Sequence, residues 1–251
     1  MIHIEETDST NRWLRNYMAS DKHGLARTSS VRESPSSSDA IIAVADYQTA
    51  GKGCGSNAWE SERGKNLTFS MLIHPDGIAA REQFHITEVV SVALCRTLQP
   101  YIYNKVEIKW PNDIYVGDRK LCGILIENRL QGNVIVDCII GIGLNVNQRV
   151  FLSDAPNPVS MYQLTGQETD REALLADFLQ TFDQEWQNKA NGSEYRELLY
   201  RKGKDGLYED KTGRFVAKLT DVLPDGRLLL VDEEGKEHTY AFKEVSFIIE
   251  N

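Results

Sequence analysis

The stretch DIYVGDRKLCGILIEN, at residues 113–128, determines the kind of fold that this chain adopts. Its apolar residues lie on both sides of Gly117 and Asp118, a two-residue turn signal, so the stretch predicts a β-hairpin. The next apolar run, NVIVDCIIGIGLNVN at residues 133–147, predicts a long central strand. Earlier strands are predicted from short apolar runs rich in β-branched or aromatic residues, which are IIAVADY at 41–47, NLTFSMLIHP at 66–75 and VEIKW at 106–110. Together these strands predict a mixed β-sheet.

Helices are predicted before, between and after these strands. The sequence TDSTN, at residues 7–11, supplies helix-capping side chains ahead of apolar residues that share one helical face. Residues 81–98 and residues 170–201 carry apolar side chains at helical spacing. Together with the strands, these helices predict an α+β fold class that contains a mixed sheet.

A second, smaller unit is predicted at the carboxyl end. Gly203 and Gly206 interrupt the helical pattern. Beyond them, RFVAKLTDV, RLLLVDE, HTYAFKE and VSFIIE predict four short strands separated by glycine or acidic turns, as in a small β-barrel. The sequence thus predicts one domain over residues 1–203 and another over residues 204–251.

Composition excludes several classes of protein. With 28 Lys+Arg against 37 Asp+Glu, the net charge of −9 has the wrong sign for a protein whose main partner is nucleic acid. No apolar run approaches the roughly 18 residues of a membrane span, and no signal peptide is evident, so a cytoplasmic protein without a membrane partner is expected. The four cysteines are widely spaced, which argues against a disulfide framework and a zinc site.

Familiar catalytic motifs are also absent from the sequence. It contains neither a G-x-x-x-x-G-K-[ST] phosphate loop nor a G-x-S-x-G nucleophile elbow, and the glycines at 51, 53 and 55 have the wrong spacing for the dinucleotide fingerprint. The five histidines are scattered without metal-ligand spacing. A serine hydrolase and a zinc enzyme are therefore not indicated.

Four polar segments within the apolar sequence are candidates for chemistry, and they are AGKGCGSNAW at 50–59, KWPND at 109–113, DRKLCG at 118–123 and GIGLNVN at 141–147. The segment AGKGCGSNAW, at residues 50–59, places three glycines around one lysine, as expected where another molecule must approach the backbone. Lys109 and Lys120 are cations able to neutralise phosphate. Asn112, Asp113, Asn145 and Asn147 offer the oxygens that magnesium prefers. The combination suits a nucleotide triphosphate, although each segment taken singly also fits a turn or a bulge.

Four segments, in the order in which they occur in the chain, together resemble the biotin protein ligases. They are DSTN, QTAGKGCGSNAW, KWPNDIYVGDRKLCGILIE and GIGLNVN, and the third is the most specific. The resemblance implies a class II synthetase-like biotin/lipoate ligase catalytic domain, which is a mixed sheet flanked by helices, followed by a small SH3-like β-barrel. Larger bacterial members of the family carry an amino-terminal DNA-binding domain, whereas here the pattern begins at once, so a monofunctional ligase is expected.

The resemblance also assigns roles to individual residues. Lys120 and Lys52 match catalytic positions, and Asn112 and Asn145 match groups that would hold magnesium and the triphosphate. ATP or adenylate contacts are implied for Trp59, Lys109, Asn112 and Asn145, with Asp113 behind them. Biotin contacts are implied for Ser9, Thr10, Asn11, Gln48, Gly51, Lys52, Gly53, Cys54, Lys120 and Gly123. The family usually has arginines where this chain has Lys52 and Cys54, so weaker retention of the activated intermediate is expected.

The implied reaction uses ATP, biotin and Mg²⁺ to form biotinyl-5′-AMP, and then transfers biotin to a lysine of a biotin carboxyl carrier protein. The expected protein is a monomer or homodimer. Two alternatives remain open at this point. A lipoate or octanoate ligase shares the fold and the adenylation chemistry, and a catalytically silent biotin-binding sensor would share the pocket.

Overall fold

The computed structural model describes residues 1–20, 40–53, 58–153, 155–188 and 191–249. The strands are β1 Ile2–Thr7, β2 Ile41–Gln48, β3 Leu67–Ile73, β4 Val106–Lys109, β5 Asp113–Val116, β6 Arg119–Gln131, β7 Val134–Leu144, β8 Asp205–Asp210, β9 Gly213–Val222, β10 Leu228–Asp232, β11 Glu237–Tyr240 and β12 Val245–Ile248. The helices are α1 Thr10–Ala19, α2 Phe84–Leu98, α3 Met161–Thr165, α4 Arg171–Gln187 and α5 Asn191–Glu197.

The predicted hairpin and central strand form the middle of a seven-stranded sheet with the order β1-β2-β3-β7-β6-β5-β4. β5 and β6 pair on either side of Gly117, whose φ of 58° explains why glycine stands at this turn. β7 is the fourth of the seven strands, as the run at 133–147 predicts. The sheet is mixed because β1 is parallel to β2 while the other neighbours are antiparallel. The mixed, helix-flanked sheet is therefore confirmed.

The two faces of this sheet are covered differently, because successive residues of a strand point to opposite sides. One face carries the large apolar side chains of β3, β6 and β7, including Phe69, Ile124 and Ile140, and packs with α2 and α4 in the main core. The opposite face is covered by α1, whose Leu14 packs on Leu72 and Ile139 in a small cluster. Beyond that cluster the second face becomes polar, and the candidate site lies there.

A second sheet of five strands, in the order β11-β10-β9-β8-β12, follows the helices. The sequence predicts four strands in this region, and the additional one is β8, DGLYED, where acidic residues and glycine indicate a turn. β8 forms because its backbone pairs with β9 on one side and β12 on the other. The division at residues 203 and 204, and the closure of these strands into an SH3-like barrel, stay predictions.

The helical pattern over residues 170–201 divides into two helices rather than one. α4 begins at an Asp170 cap, whose carboxylate accepts the backbone N–H groups of Glu172 and Ala173, and ends at Gln187. α5 begins at Asn191. Residues 189–190 lie outside the described part of the chain.

The second sheet packs against the first unit through specific contacts and a shared core. Trp110 Nε1 donates to the backbone oxygen of Gly226 at 2.9 Å, and Arg196 Nε donates to that of Val222 at 2.8 Å. Tyr208 and Leu219 of the second sheet belong to the same apolar cluster as the main sheet. These contacts bring the turn between β11 and β12 to the edge of the site.

The cysteines expected in the core are found there. Cys95, Cys122 and Cys138 are buried and unpaired, and burial raises the pKa of each thiol, so they are inert packing residues. Cys54 lies outside the described residues. No helix in the part of the chain that the structure describes is long and apolar enough to cross a membrane.

Candidate functional site

A cavity of about 510 Å³ opens on the polar half of the second sheet face. Its walls come from the start of α1, the end of β2, the glycine loop, the β4–β5 connection, and strands β6 and β7. The turn between β11 and β12 supplies Phe242 and Lys243. The cavity is large enough for a small organic substrate and is lined from both sheets.

The floor of the cavity is made of two glycines that face each other on neighbouring strands. Gly123 of β6 pairs directly with Gly143 of β7. The Trp59 ring lies directly on these glycines. A Cβ added to Gly143 would lie 2.5 Å from the indole, and a Cβ added to Gly123 would lie 3.1 Å from it. The indole N–H is buried and has no hydrogen-bond partner in the described part of the chain. The glycines are needed because only bare backbone leaves room for the ring.

One end of the cavity carries a hydrogen-bonding pair. Gln48 Oε1 accepts the backbone N–H of Thr10 at 2.8 Å and its hydroxyl at 3.1 Å. The Gln48 oxygen is therefore turned toward Thr10, and its NH₂ group is left for the cavity. Ser9 occupies the N-cap position of α1, yet its side chain makes no capping hydrogen bond. Helix capping thus does not account for either hydroxyl.

Beneath this pair a buried polar network continues toward the surface. The fully buried Ser70 hydroxyl lies 2.6 Å from Thr10 Oγ1 and 2.6 Å from Asn11 Oδ1. Asn11 Nδ2 donates to Glu127 Oε2 at 2.8 Å, and Arg15 holds the same carboxylate at 2.6 Å. Because the Asn11 amide is occupied on both sides by protein groups, Asn11 orients the site.

The other end of the cavity is cationic. Lys120 Nζ lies 2.7 Å from the Asp113 carboxylate. Lys109 Nζ lies 5.4 Å from the centre of the Tyr115 ring and 4.9 Å from the centre of the Phe247 ring. Burial lowers the pKa of Lys109, an effect that the nearby Asp113 charge partly opposes. The cavity lining in the described residues holds four lysines and one carboxylate, since Lys52 and Lys243 also contribute. A local positive charge in a protein of net charge −9 indicates an anionic ligand.

Most residues predicted for the site lie around this cavity. The lining includes Ser9, Thr10, Asn11, Gln48, Lys52, Gly53, Trp59, Lys109, Asn112, Asp113, Lys120 and Gly123. Gly51 lies outside the lining, where a Cβ would meet the backbone oxygen of Trp59 at 2.6 Å, so it permits the glycine loop to double back. Cys54 falls outside the described residues.

The asparagines of the GLNVN segment lie behind the cavity wall. Asn145 is buried, donates through Nδ2 to the Val159 backbone oxygen at 3.1 Å, and keeps an Oδ1 with no partner among the described residues. Asn147 exchanges hydrogen bonds with the backbone of Thr169 through both ends of its amide. Asn147 therefore fastens the chain ahead of α4, whereas Asn145 retains an unused acceptor.

Several cavity residues have no counterpart in the sequence reasoning. Trp110, Phe242, Lys243 and Phe247 line the cavity, and Ser70 supports it from below. Ser70 stands in an apolar strand, and a single serine there gives no local signal of function. Phe242 and Lys243 lie in the tail, and only the packing of the two sheets shows that they reach the site.

A magnesium site built from protein carboxylates alone is not indicated. No group of three His, Cys, Asp or Glu side chains within the described ranges is arranged to hold a metal ion. Within the cavity lining, the Asn112 side-chain oxygen and the Asp113 carboxylate do suit Mg²⁺, which usually keeps several waters and binds through one or two protein oxygens plus substrate phosphates, whereas the Asn145 oxygen is buried behind the wall.

Comparisons with known proteins agree on one family. A family model described as the biotin/lipoate A/B protein ligase family matches residues 24–145. The bifunctional ligase/repressor BirA of Bacillus spizizenii is 29% identical over 214 residues, which are 81% of this chain and 65% of that protein. BirA of Escherichia coli is 32% identical over 171 residues, 67% of this chain and 48% of that protein. This chain therefore spans less than two thirds of the length of these relatives.

Solved structures show a similar fold. The biotin protein ligase of Aquifex aeolicus in complex with biotin and ATP matches with a TM-score of 0.76 at 24% identity, covering 98% of this chain and 97% of that one. The Leishmania major biotin protein ligase in complex with biotinyl-5-AMP matches with a TM-score of 0.61 at 18% identity, covering 96% and 98%. The likeness extends over both sheets.

Proposed function

Because this chain belongs to the biotin/lipoate A/B protein ligase family, we propose that it is an ATP-dependent ligase that converts biotin to biotinyl-5′-AMP and transfers the biotinyl group to a lysine of a biotin carboxyl carrier protein domain. Residues 1–203 would form the catalytic domain and residues 204–251 the carboxy-terminal domain. We propose the cytoplasm as the location, since the reaction consumes ATP and modifies a carboxylase.

The observation that carries this proposal is the Thr10–Gln48 pair. The Thr10 hydrogen is directed to a protein oxygen, so toward a ligand this hydroxyl acts as an acceptor, while the Gln48 NH₂ acts as a donor. A ligand that satisfies both needs an N–H and a carbonyl oxygen close together, as in the ureido group of biotin. The hydrocarbon chain of octanoate or lipoate has neither group, and would leave both protein groups unpaired.

The cationic end of the cavity suits the chemistry of activation. One carboxylate oxygen of biotin attacks the α-phosphorus of ATP, and pyrophosphate leaves. Lys120, and Lys52 at the glycine loop, would neutralise the charge that gathers on the carboxylate and the phosphate. In the second step, the acceptor amine attacks the acyl carbonyl, AMP leaves with the bonding electrons, and the amine proton passes to water.

The remaining site residues would align ATP. We propose that Trp59 and Lys109 contact the nucleotide, and that Asn112 holds the triphosphate. The Asn112 Nδ2 donates to the Ile124 backbone oxygen at 2.7 Å, which leaves its Oδ1 as an acceptor. Magnesium would neutralise charge on the triphosphate when bound, and Asn112 would hold it from the cavity lining, whereas Asn145, the other residue predicted to hold it, lies behind the wall.

The experiment that tests the proposal is ATP–pyrophosphate exchange with biotin, lipoate, octanoate or no added acid. Exchange with biotin alone is the expected result. Exchange with lipoate or octanoate would assign the chain to the other branch of the family, and no exchange with any acid would favour a biotin-binding sensor. Transfer of labelled biotin to a purified carrier domain then tests the second step.

A further inference from the structure

We propose that Ser70 is a positioning residue for recognition of the ureido group, an inference that rests on the proposed function. Ser70 is on β3, on the sheet face shared with α1, and is fully buried below the cavity. Its hydroxyl does not line the cavity. Ser70 therefore acts on a ligand only through the residues that it holds.

The hydroxyl is placed between two side chains of the DSTN segment. Thr10 Oγ1 and Asn11 Oδ1 each lie 2.6 Å from Ser70 Oγ, and a serine has one hydrogen to donate. If that hydrogen is donated to Thr10, the Thr10 hydrogen is directed to Gln48 Oε1. If it is donated to Asn11, the Thr10 hydrogen is attracted to Ser70 or Gln48. Thr10 is an acceptor toward the cavity in both arrangements.

The direction of these hydrogen bonds is fixed from the outer end of the network. A carboxylate accepts hydrogen bonds and donates none, so the Asn11 NH₂ must face Glu127 and its oxygen must face Ser70. Arg15 pairs with Glu127 and keeps that end occupied. Through Ser70, the surface ion pair therefore helps to determine the direction of the hydrogen bonds that Thr10 makes.

Removal of the Ser70 hydroxyl would leave Thr10 Oγ1 and Asn11 Oδ1 facing a void. Thr10 could then rotate away from the acceptor role that a ureido N–H requires. Nothing at the cationic end contacts Ser70, so activation of a bound substrate should be preserved. The effect should therefore appear in the KM for biotin and leave the KM for ATP and kcat unchanged.

The matched control is on the same strand. Thr68 shares the sheet face of Ser70 and is equally buried, but its hydroxyl donates to the Ala45 backbone oxygen at 2.9 Å and makes no contact with the network. Ser70→Ala and Thr68→Val each remove one buried hydroxyl, and only the Ser70 hydroxyl belongs to the network. Ser70→Cys is a second variant that keeps a weak donor of similar size.

The experiment measures biotin-dependent ATP–pyrophosphate exchange and thermal unfolding for the wild type and these variants. Ser70→Ala should raise the KM for biotin about tenfold, the usual effect of losing one hydrogen bond in a site, with KM for ATP and kcat within about twofold. Ser70→Cys should give a smaller increase, and Thr68→Val should leave the KM for biotin within about twofold.

Two results would overturn the inference. An unchanged KM for biotin in Ser70→Ala, or equal increases in Ser70→Ala and Thr68→Val, would show that the hydroxyl has only a structural role. If Ser70→Ala fails to fold, the comparison of Ser70→Cys with Thr68→Val decides in the same way. A wild-type protein without biotin exchange would reject the proposed function itself, so the two failures are distinguishable.

Discussion

Lys120 combines three properties at one position in the cavity. It pairs with Asp113, lies 5.7 Å from the centre of the Trp59 ring, and approaches the Gly123 floor. In the proposed reaction, a cation held over the floor in this way would neutralise charge on a carboxylate and a phosphate together.

We therefore expect Lys120→Ala to slow formation of the adenylate by about 10²-fold or more while the protein remains folded. Pyrophosphate exchange with biotin measures the loss, and circular dichroism checks the fold. Lys105→Ala is the matched control, because Lys105 also forms an ion pair, with Glu107, but lies away from the cavity. Adenylate formation at the wild-type rate in Lys120→Ala would contradict the assignment.

Lys109 gives a pH-dependent prediction. Burial lowers its pKa in the folded protein below the usual 10.5, so the unfolded chain binds this proton more tightly. The charged Lys109 destabilises the folded state most at low pH. This destabilisation disappears as the pH rises from the pKa of Lys109 in the folded protein to its pKa in the unfolded chain. We expect Lys109→Met to raise the free energy of unfolding relative to wild type near pH 7, and this gain to shrink by about pH 10.

Urea unfolding at both pH values measures this change, with Lys211→Met as an exposed control. A difference between wild type and Lys109→Met that is independent of pH would show that burial does not perturb this lysine.

The end of the glycine loop is fastened to the segment after β7 by one side chain. Glu60 accepts the backbone N–H groups of Leu152 and Ser153, at 2.9 and 2.7 Å, and the side-chain amide of Gln148 at 3.0 Å. Burial by itself would raise the pKa of Glu60, but these hydrogen bonds outweigh it and hold the pKa below its usual value. The ionised carboxylate therefore maintains the connection at neutral pH.

Glu60→Ala should release this segment. We expect the amides of Leu152 and Ser153 to exchange with deuterium about tenfold faster, the usual result of losing a hydrogen bond to a charged acceptor. Glu62→Ala, two residues along and exposed, serves as the control. Unchanged exchange in Glu60→Ala would mean that the segment is held by other contacts.

At the level of elements, the sequence was most informative where a periodic pattern coincides with a turn signal. The hairpin at Gly117, the central strand and the buried β3 all follow from local patterns. β8 is not predicted because the composition of DGLYED is typical of a turn. The segment forms a strand because it pairs with β9 and β12. The division between α4 and α5 is equally a property of packing rather than of periodicity.

The site shows the same contrast between local and distant information. Its lysines, glycines and amides stand in conspicuous short segments, whereas Ser70 meets Thr10 across 60 positions of sequence. The local sequence around neither residue indicates such a contact. Phe242 and Lys243 likewise reach the cavity only because the second sheet packs against the first unit, through the hydrogen bonds of Trp110 and Arg196 and a shared core.

The whole molecule places the second sheet over the cationic end of the cavity. Lys243 has a φ of 71°, a left-handed conformation that is uncommon for a residue other than glycine and costs of order 1 kcal/mol. The side chain lies 5.7 Å from the Phe242 ring, which is half exposed beside Trp110. In the proposed function, this cation at the cavity edge would contact the triphosphate of ATP.

We expect Lys243→Ala to raise the KM for ATP about three- to tenfold, with little change in the KM for biotin, because a partly exposed charge contributes modestly to anion binding. Exchange kinetics measure both constants. Lys236→Ala is the control, since Lys236 lies in an exposed turn of the same sheet. An equal KM for ATP in the two variants would show that Lys243 does not contribute to ATP binding and that the second sheet has only a packing role.

The paired glycines of the cavity floor also limit how this protein can evolve. At Gly123 and Gly143 no side chain is present, so every substitution adds atoms above the sheet, and none can remove any. Natural variation at these two positions can therefore displace the Trp59 ring and fill the pocket but cannot make the pocket deeper. A descendant with a larger pocket must therefore gain the extra space in the walls, where side chains can be shortened.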